Sequence, residues 1–283
     1  MDLSIVIPAY NEEGAISQTV EDVTKVLSRL SASFEIIVVN DGSSDETGKA
    51  AAQTGARVID SDENAGYGAS LKKGIAASTS EFVAILDADG TYPAASLPAM
   101  LELAESADMV VGNRGAAMTN VPLIRRPAKF ILNTLAGYLA GRKIPDLNSG
   151  LRVFRRSALT GFIPLLPMGF SFTTTITLCM LCSGLRVVYF PIEYGRRIGR
   201  SKIRSTDFFN FILLVLRAIV LFNPLRVFLP LGALLFLLGG VKLGYDIYIG
   251  NLSESAVLGL LGAVMIWSLG LIADMISRLH LRP

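Results

Sequence analysis

Two aspartates end an apolar run in the segment Phe82-Val83-Ala84-Ile85-Leu86-Asp87-Ala88-Asp89-Gly90. The run has the length of a strand and the composition of one that is buried on both faces, as in a parallel sheet. Asp87 and Asp89 then fall at the carboxyl end of that strand, where open α/β sheets bind ligands. Two carboxylates that point the same way favour a divalent cation between them. The alternative is a strand that ends in an Asp-rich turn, since Asp-Gly is a strong turn signal.

Strands and helices alternate in the sequence before this segment. The strand-like runs are 3–8, 35–41 and 57–59, and the helix-like runs are 15–30, about 45–54 and 70–77. This alternation predicts an α/β fold with a mostly parallel, right-handed sheet. Asp41 also ends a strand, so we expect it to face the same crevice as Asp87.

The composition excludes an ordinary soluble protein, because 51% of the residues are hydrophobic and the mean hydropathy is +0.50. The apolar excess lies mostly after Thr206, which leaves one globular domain over 1–205. The net charge is only +2, and no nucleic-acid partner is expected. Cys179 and Cys182 lie in an apolar helical run without two further zinc ligands, so we expect buried, reduced thiols.

Four polar motifs appear in order along this domain: 8–13 (PAYNEE), 40–45 (NDGSSD), 64–68 (NAGYG) and 87–89 (DAD). Together they resemble the inverting family 2 of GT-A glycosyltransferases, whose Rossmann-like catalytic domain binds a nucleotide sugar. The resemblance implies that Asp87 and Asp89 bind Mg²⁺ or Mn²⁺ on the donor diphosphate. It also implies a set of nucleotide-binding residues: Pro8, Tyr10, Glu12, Asp41 and Asp87.

Three later motifs, at 112–114 (GNR), 146–152 (DLNSGLR) and 196–202 (RRIGRSK), narrow the resemblance. They are similar to elements of polyprenyl-phosphate sugar synthases, the dolichol-phosphate-mannose-synthase-like branch, and the match covers about 3–205. The resemblance implies that the acceptor phosphate is bound by Arg114, Arg126, Arg196 and Lys202. Thr91 stands where much of this branch has a metal-binding Gln, which makes Thr91 a doubtful ligand. For Arg155 and Arg156 we expect a solvated surface or contact with anionic lipid head groups.

The sequence after Thr206 predicts a membrane anchor. The segment 206–224 is short and contains Arg217, which favours an amphipathic helix lying at the interface, with a short third span as the alternative. The segment 225–283 predicts a transmembrane hairpin with spans at about 227–249 and 256–273, in which Lys242 and Asp246 are placed to pair. Gly259, Gly262 and Ala263 would allow close helix packing.

The charges around the hairpin predict its orientation. The loop 251–255 carries no Lys or Arg, whereas Arg226 precedes the first span and the tail after the second is basic. The positive-inside rule then places both ends in the cytosol, in a cell membrane. The strand that begins at Leu3 leaves no room for a signal peptide, which also predicts a cytosolic catalytic domain.

The expected reaction is an inverting transfer of a sugar from UDP-glucose or GDP-mannose to the phosphate of a polyprenyl phosphate, giving a β-linked product. A phosphate with a second pKa near 6 attacks without a general base, but it needs cations. The candidate catalytic residues are Asp89, Asp146 and Arg126.

Two alternatives stay open at this stage. In one, the acceptor is a sugar hydroxyl and Asp146 is the general base. Processive synthases of this kind usually carry a Gln-x-x-Arg-Trp motif, whereas the only tryptophan here, Trp267, lies in the second span. In the other alternative, the protein is a non-catalytic membrane scaffold. The sequence leaves the sugar, the base and the oligomeric state undecided, and a homo-oligomer is compatible with it.

Overall fold

The computed structural model describes residues 2–30, 32–115, 134, 136–138, 140–169, 171–195 and 224–280. The chain divides into two compact units, Met1–Phe211 and Ile212–Pro283. The predicted boundary at 205 lies outside the described residues, and so does the predicted interfacial helix apart from Pro224.

The described residues of the first unit form a seven-stranded sheet. The strands are β1 (Asp2–Ala9), β2 (Ser33–Asp41), β3 (Arg57–Ser61), β4 (Phe82–Ile85), β5 (Met109–Asn113), β6 (Arg152–Arg155) and β7 (Val187–Pro191). Their order in the sheet is β3-β2-β1-β4-β6-β5-β7. All of them run in the same direction except β6, which is antiparallel to both β4 and β5. The mostly parallel sheet predicted from the sequence is therefore confirmed.

Helices connect the parallel strands, as the alternation predicts. They are α1 (Ile16–Leu27), α2 (Thr47–Ala52), α3 (Tyr67–Ala77), α4 (Leu97–Ala104), α5 (Arg156–Thr160) and α6 (Phe172–Cys182). Helix α3 begins three residues earlier than predicted, at Tyr67, because the Ser70 N–H already bonds to the Gly66 carbonyl at 3.1 Å. Helix α6 contains both cysteines as free thiols, and burial raises the pKa of the Cys179 thiol.

The centre of the sheet holds the segment that ends in Asp87 and Asp89 in place. Strand β4 is buried along its whole length and pairs with β1 in parallel register, Val6 opposite Ile85. A hydrogen bond of 3.1 Å from the Leu86 N–H to the Val6 carbonyl follows the last paired residue. Asp87 is the next residue, so its carboxylate emerges where the pairing of the two central strands ends.

Two long helices, α7 (Leu225–Ile249) and α8 (Glu254–His280), form the described part of the second unit. Both are long and apolar enough to cross a membrane, and they match the two predicted spans. They pack through small or polar buried residues that recur every seven positions, the period typical of a left-handed helix pair. These residues are Gly232, Gly239 and Asp246 on α7, and Ala256, Ala263, Gly270 and Ser277 on α8.

Close approach between the two helices depends on glycine. A Cβ atom on Gly232 would lie 2.3 Å from Nε1 of Trp267, whose indole N–H donates to the Leu229 carbonyl at 3.1 Å. A Cβ atom on Gly259 would lie 3.2 Å from the Cα atom of Gly239. The predicted close packing of the hairpin is therefore confirmed at Gly259.

The turn between the two helices is fastened by Asp246. This buried carboxylate pairs with Lys242, as predicted, and also accepts hydrogen bonds from the Ser253 hydroxyl and, at 2.9 Å, from the Ser253 N–H. Gly250 ends α7 in the left-handed conformation, with φ of 69°. These contacts hold the turn and satisfy the acidic group inside the hairpin.

Candidate active site

The loops that follow β1 and β2 are hydrogen-bonded to each other. The Asn11 N–H donates to Oγ of Ser43 at 3.0 Å, and Oδ1 of Asn11 accepts from the Ser44 N–H at 2.8 Å. Asn11 adopts φ of 51°, a conformation that asparagine tolerates better than most residues. The predicted nucleotide-binding residues Tyr10 and Glu12 flank it and are therefore carried by a fixed loop.

Asp41 and Asp87 are brought to the same edge of the sheet, as expected from their positions at strand ends. The two oxygens of Asp41 accept hydrogen bonds from the Ala65 N–H at 3.0 Å and the Gly66 N–H at 2.9 Å. The next residue, Tyr67, donates its hydroxyl to Oδ1 of Asp87 at 2.8 Å. The motif 64–68 thus connects the two acidic strand ends. Pro8, the remaining predicted nucleotide-binding residue, is buried within β1.

The glycines of that motif are required by a close approach of the chain. A Cβ atom on Gly68 would lie 2.3 Å from the Pro167 carbonyl oxygen, and Gly66 has φ of 103°. The Met168 carbonyl accepts from the Ala69 N–H at 2.9 Å, so the segment 167–169 covers the start of α3. This contact could not be predicted from the sequence, because the two segments are about 100 residues apart.

The two carboxylates predicted to bind metal are each held by a hydroxyl. Oδ1 of Asp89 accepts from the Thr91 hydroxyl at 2.5 Å and from the Thr91 N–H at 3.2 Å. Thr91 is buried, and its hydroxyl orients Asp89. A Cβ atom on Gly150 would lie 2.4 Å from Oδ2 of Asp87, so only glycine fits against this carboxylate.

This donor set fits a hard divalent ion. Among the described residues no cluster of three or more His, Cys, Asp or Glu side chains is present that could enclose a metal by itself. Mg²⁺ is usually bound by one or two carboxylates together with substrate phosphates and water, and Asp87 and Asp89 supply that number. Asp87 and Asp89 would therefore hold the ion only together with the phosphates of a bound substrate.

Asp146 and Arg114 form a buried ion pair. Oδ2 of Asp146 accepts from Nε of Arg114, and Oδ1 accepts from Nη2, both at 2.8 Å, while the carboxylate is fully buried. The guanidinium lies 5.4 Å from the ring centre of Tyr194. Although burial alone would raise the pKa of Asp146, the hydrogen bonds from Arg114 hold this pKa below its ordinary value.

This pair bears on two predicted roles. A carboxylate with a lowered pKa is a weak base, and Asp146 also accepts the Asn148 N–H at 3.2 Å. Arg114, predicted to bind the acceptor phosphate, already neutralises Asp146. Asp146 could act as a base only by giving up one of the hydrogen bonds that its two oxygens accept, whereas the guanidinium of Arg114 has five N–H donors and uses two of them in this contact.

A fully buried arginine, Arg152, shapes the loop between Asp146 and Gly150. Its guanidinium donates to the carbonyls of Ser149 at 2.8 Å and Leu147 at 2.9 Å, and to the Thr177 hydroxyl at 2.6 Å. Burial lowers the pKa of this guanidinium. Sequence reasoning assigned Arg152 no role, although an arginine beside two apolar residues of a buried strand is an unusual signal.

Several predicted residues lie outside the described part of the chain, namely Arg126, Arg196, Lys202 and Arg217. Arg155, which we expected to be solvated or to contact anionic lipid head groups, pairs with Glu81 at 2.9 Å and lies over the Phe82 ring at 5.1 Å.

Comparison with known proteins identifies the family of the chain. Residues 4–162 match the model for glycosyl transferase family 2, and residues 223–279 match the GtrB C-terminal hairpin. The chain therefore belongs to glycosyl transferase family 2, and its membrane hairpin is of the GtrB type.

The relatives are similar to this chain over more than half of its length. A dolichyl-phosphate hexose transferase of Haloferax volcanii is 32% identical over 204 residues, covering 71% of this chain and 86% of the relative. An undecaprenyl-phosphate 4-deoxy-4-formamido-L-arabinose transferase of Serratia proteamaculans is 31% identical, covering 61% of this chain and 57% of the relative.

A solved structure supports the GT-A fold. Glucosyl-3-phosphoglycerate synthase of Mycobacterium tuberculosis, in complex with Mn²⁺, UDP and glucosyl-3-phosphoglycerate, superposes with a TM-score of 0.57 at 24% identity. The match covers 77% of each chain.

Replacing Asp146 with Asn should destabilise the protein by about 3 kcal/mol at pH 7, because Arg114 would lose its buried counter-charge. A carboxylate with a lowered folded-state pKa stabilises the protein above its unfolded pKa of about 3.9, and this stabilisation is lost as the pH falls through the folded-state pKa. The difference between the two proteins should therefore shrink below about pH 4. Chemical denaturation between pH 3 and 7 measures it.

Asp22→Asn, on the exposed face of α1, is the matched control and should change stability little. Unchanged stability of Asp146→Asn, with substrate binding intact and turnover almost abolished, would contradict the ion-pair role and favour a general base.

Proposed function

We propose that this glycosyltransferase transfers a hexose from a nucleotide sugar to the phosphate of a membrane polyprenyl phosphate. The names of the two relatives support this acceptor, since one acts on dolichyl phosphate and the other on undecaprenyl phosphate. The donor is of the UDP-glucose or GDP-mannose type. The transfer is a single in-line displacement that converts an α-linked donor into a β-linked lipid product.

The observation that carries this proposal is the ion pair between Asp146 and Arg114. A sugar hydroxyl needs a base to remove its proton, and the candidate for that task is buried, paired and low in pKa. A phosphate acceptor is largely dianionic at neutral pH and needs no base. The geometry of Asp146 therefore suits the phosphate acceptor better than the hydroxyl acceptor.

The carboxylates of Asp87 and Asp89 would hold Mg²⁺ or Mn²⁺, which would offset the charge that develops on the leaving nucleoside diphosphate. The loops that carry Pro8, Tyr10, Glu12 and Asp41 surround the base and ribose. Asp87 and Asp89 follow the end of β4, so the donor diphosphate would bind at this edge of the sheet.

Cationic side chains bring the acceptor phosphate to the donor. Arg126, Arg196 and Lys202 provide the positive charge that overcomes repulsion from the donor diphosphate, and Arg126 is the catalytic member of this group. Arg114 acts together with Asp146, as a neutral pair that fixes the wall of the site.

The hairpin anchors the catalytic unit where the lipid head group lies. Two spans with both ends in the cytosol place the catalytic unit at the cytosolic surface of the membrane, in agreement with the basic residues outside the hairpin. The exposed apolar faces of α7 and α8 suit contact with lipid, and they also leave room for a homo-oligomer.

The direct test is sugar transfer by the purified protein from radiolabelled UDP-glucose, GDP-mannose and other nucleotide sugars, with Mg²⁺ or Mn²⁺. We expect label to enter a short-chain polyprenyl phosphate in detergent and to be released by mild acid. The free polyprenol without phosphate is the control and should accept none. Transfer to a saccharide but not to the lipid phosphate would overturn the proposal.

Replacing Arg126 with Ala should raise the KM for polyprenyl phosphate about tenfold or more, because a charge-assisted hydrogen bond to phosphate is lost. The KM for the nucleotide sugar should change less than twofold. Steady-state kinetics with each substrate varied measures both values. Arg29→Ala, an exposed arginine after α1, is the control for loss of one positive charge. If Arg126→Ala and the wild type have the same KM for polyprenyl phosphate, Arg126 does not bind the acceptor.

A further inference from the structure

The carboxylate of Asp87 is restrained from two sides. The Tyr67 hydroxyl donates to Oδ1 at 2.8 Å, which fixes the rotation of the carboxyl group. Gly150 packs against its face, where an added Cβ atom would lie 2.4 Å from Oδ2 and 2.6 Å from Oδ1. The terminal torsion of an aspartate is otherwise broad, so these contacts select one orientation among many.

Tyr67 is itself held by the residues around it. It begins α3, directly after Gly66, whose N–H is bound by Asp41 at 2.9 Å. On the other side, the Met168 carbonyl bonds to the Ala69 N–H and covers the start of the helix. A tyrosine hydroxyl carries its proton at neutral pH, so it acts as the hydrogen-bond donor to Asp87.

Hydrogen bonds also hold Gly150 in place. Its N–H donates to the Tyr92 hydroxyl oxygen at 2.6 Å, and the neighbouring carbonyl of Ser149 is bound by Arg152. The wall that faces Asp87 is therefore part of the folded core.

We infer that Tyr67 is a positioning residue for the metal, which acts by holding Asp87 in its ligating orientation. The inference rests on the proposed metal-dependent transfer. Asp89 has a matching arrangement, since the Thr91 hydroxyl bonds to one of its oxygens. Each carboxylate of the pair thus has a hydroxyl donor of its own.

The physical reason is the geometry that small divalent ions demand. Mg²⁺ needs a near-ideal octahedral shell, and groups that hydrogen-bond to a ligating carboxylate set its direction. Loss of such an outer partner typically weakens metal binding 10–100-fold. Because Asp41 anchors the residues just before Tyr67, the nucleotide-binding loop and the metal ligand are held by one continuous set of contacts.

The test is Mn²⁺ binding by the full-length protein in detergent, with UDP or GDP present, followed by the electron paramagnetic resonance signal of free Mn²⁺. Tyr67→Phe should weaken Mn²⁺ binding about tenfold. Its thermal unfolding midpoint, measured in parallel, should stay close to that of Tyr189→Phe. Tyr189 is the matched control, because its hydroxyl is buried and has no hydrogen-bond partner among the described residues. Tyr189→Phe should bind Mn²⁺ like the wild type.

A second variant keeps the inference falsifiable if Tyr67→Phe folds poorly. Gly150→Ala places a methyl group against the Asp87 carboxylate and should also weaken Mn²⁺ binding, with the hydroxyl of Tyr67 intact. Wild-type Mn²⁺ affinity in a folded Tyr67→Phe or Gly150→Ala protein would overturn the inference. A loss of equal size in Tyr189→Phe would overturn it as well.

The binding measurement separates this inference from the proposed function. If the wild-type protein binds Mn²⁺ with a nucleotide but transfers no sugar to lipid, the proposed acceptor is wrong. The Mn²⁺ affinity of Tyr67→Phe then still decides whether Tyr67 positions Asp87. A wild-type protein that binds no Mn²⁺ with either nucleotide would overturn the inference.

Discussion

The structure depends on one constraint, which is that Asp87 must leave the end of a central strand with its carboxylate in a fixed direction. The paired strands β1 and β4 set the position of its backbone. The Tyr67 hydroxyl and the close-packed Gly150 set the direction of its side chain. Since both contacts come from segments distant in sequence, the direction of this carboxylate is set only when α3 and the loop before β6 have packed beside it.

Buried charged residues stabilise the loop that packs against Asp87. The guanidinium of Arg152 donates hydrogen bonds to two carbonyls of the loop before β6. Asp146 in the same loop forms an ion pair with Arg114, the residue that follows β5. Such groups are costly to bury, but each is satisfied here by hydrogen bonds of good geometry. The arrangement fixes the loop that packs on Asp87, and it also leaves Asp146 poorly suited to accept a proton. The proposal of a phosphate acceptor follows from the second consequence.

The sequence predicted the mostly parallel sheet without its strands β6 and β7, most helices, the paired helices of the hairpin and the Lys242–Asp246 contact, because these depend on local periodicity and spacing. It did not predict the contact of Tyr67 with Asp87, the cover of α3 by Met168, or the pairing of Arg114 with Asp146. These contacts join residues 20 to about 100 positions apart, and side-chain direction at the end of a strand is set by such tertiary contacts. Motif resemblance named the acidic residues but gave no information about what holds them.

The central claim is tested most directly by a crystal structure of the protein with Mn²⁺ and UDP or GDP, in which anomalous scattering locates the metal. We predict one Mn²⁺ ion bound by Asp87 and Asp89 and by the diphosphate, with the Tyr67 hydroxyl still bonded to Asp87. A metal bound elsewhere, or an Asp87 carboxylate turned away from Tyr67 when the metal is bound, would contradict the account.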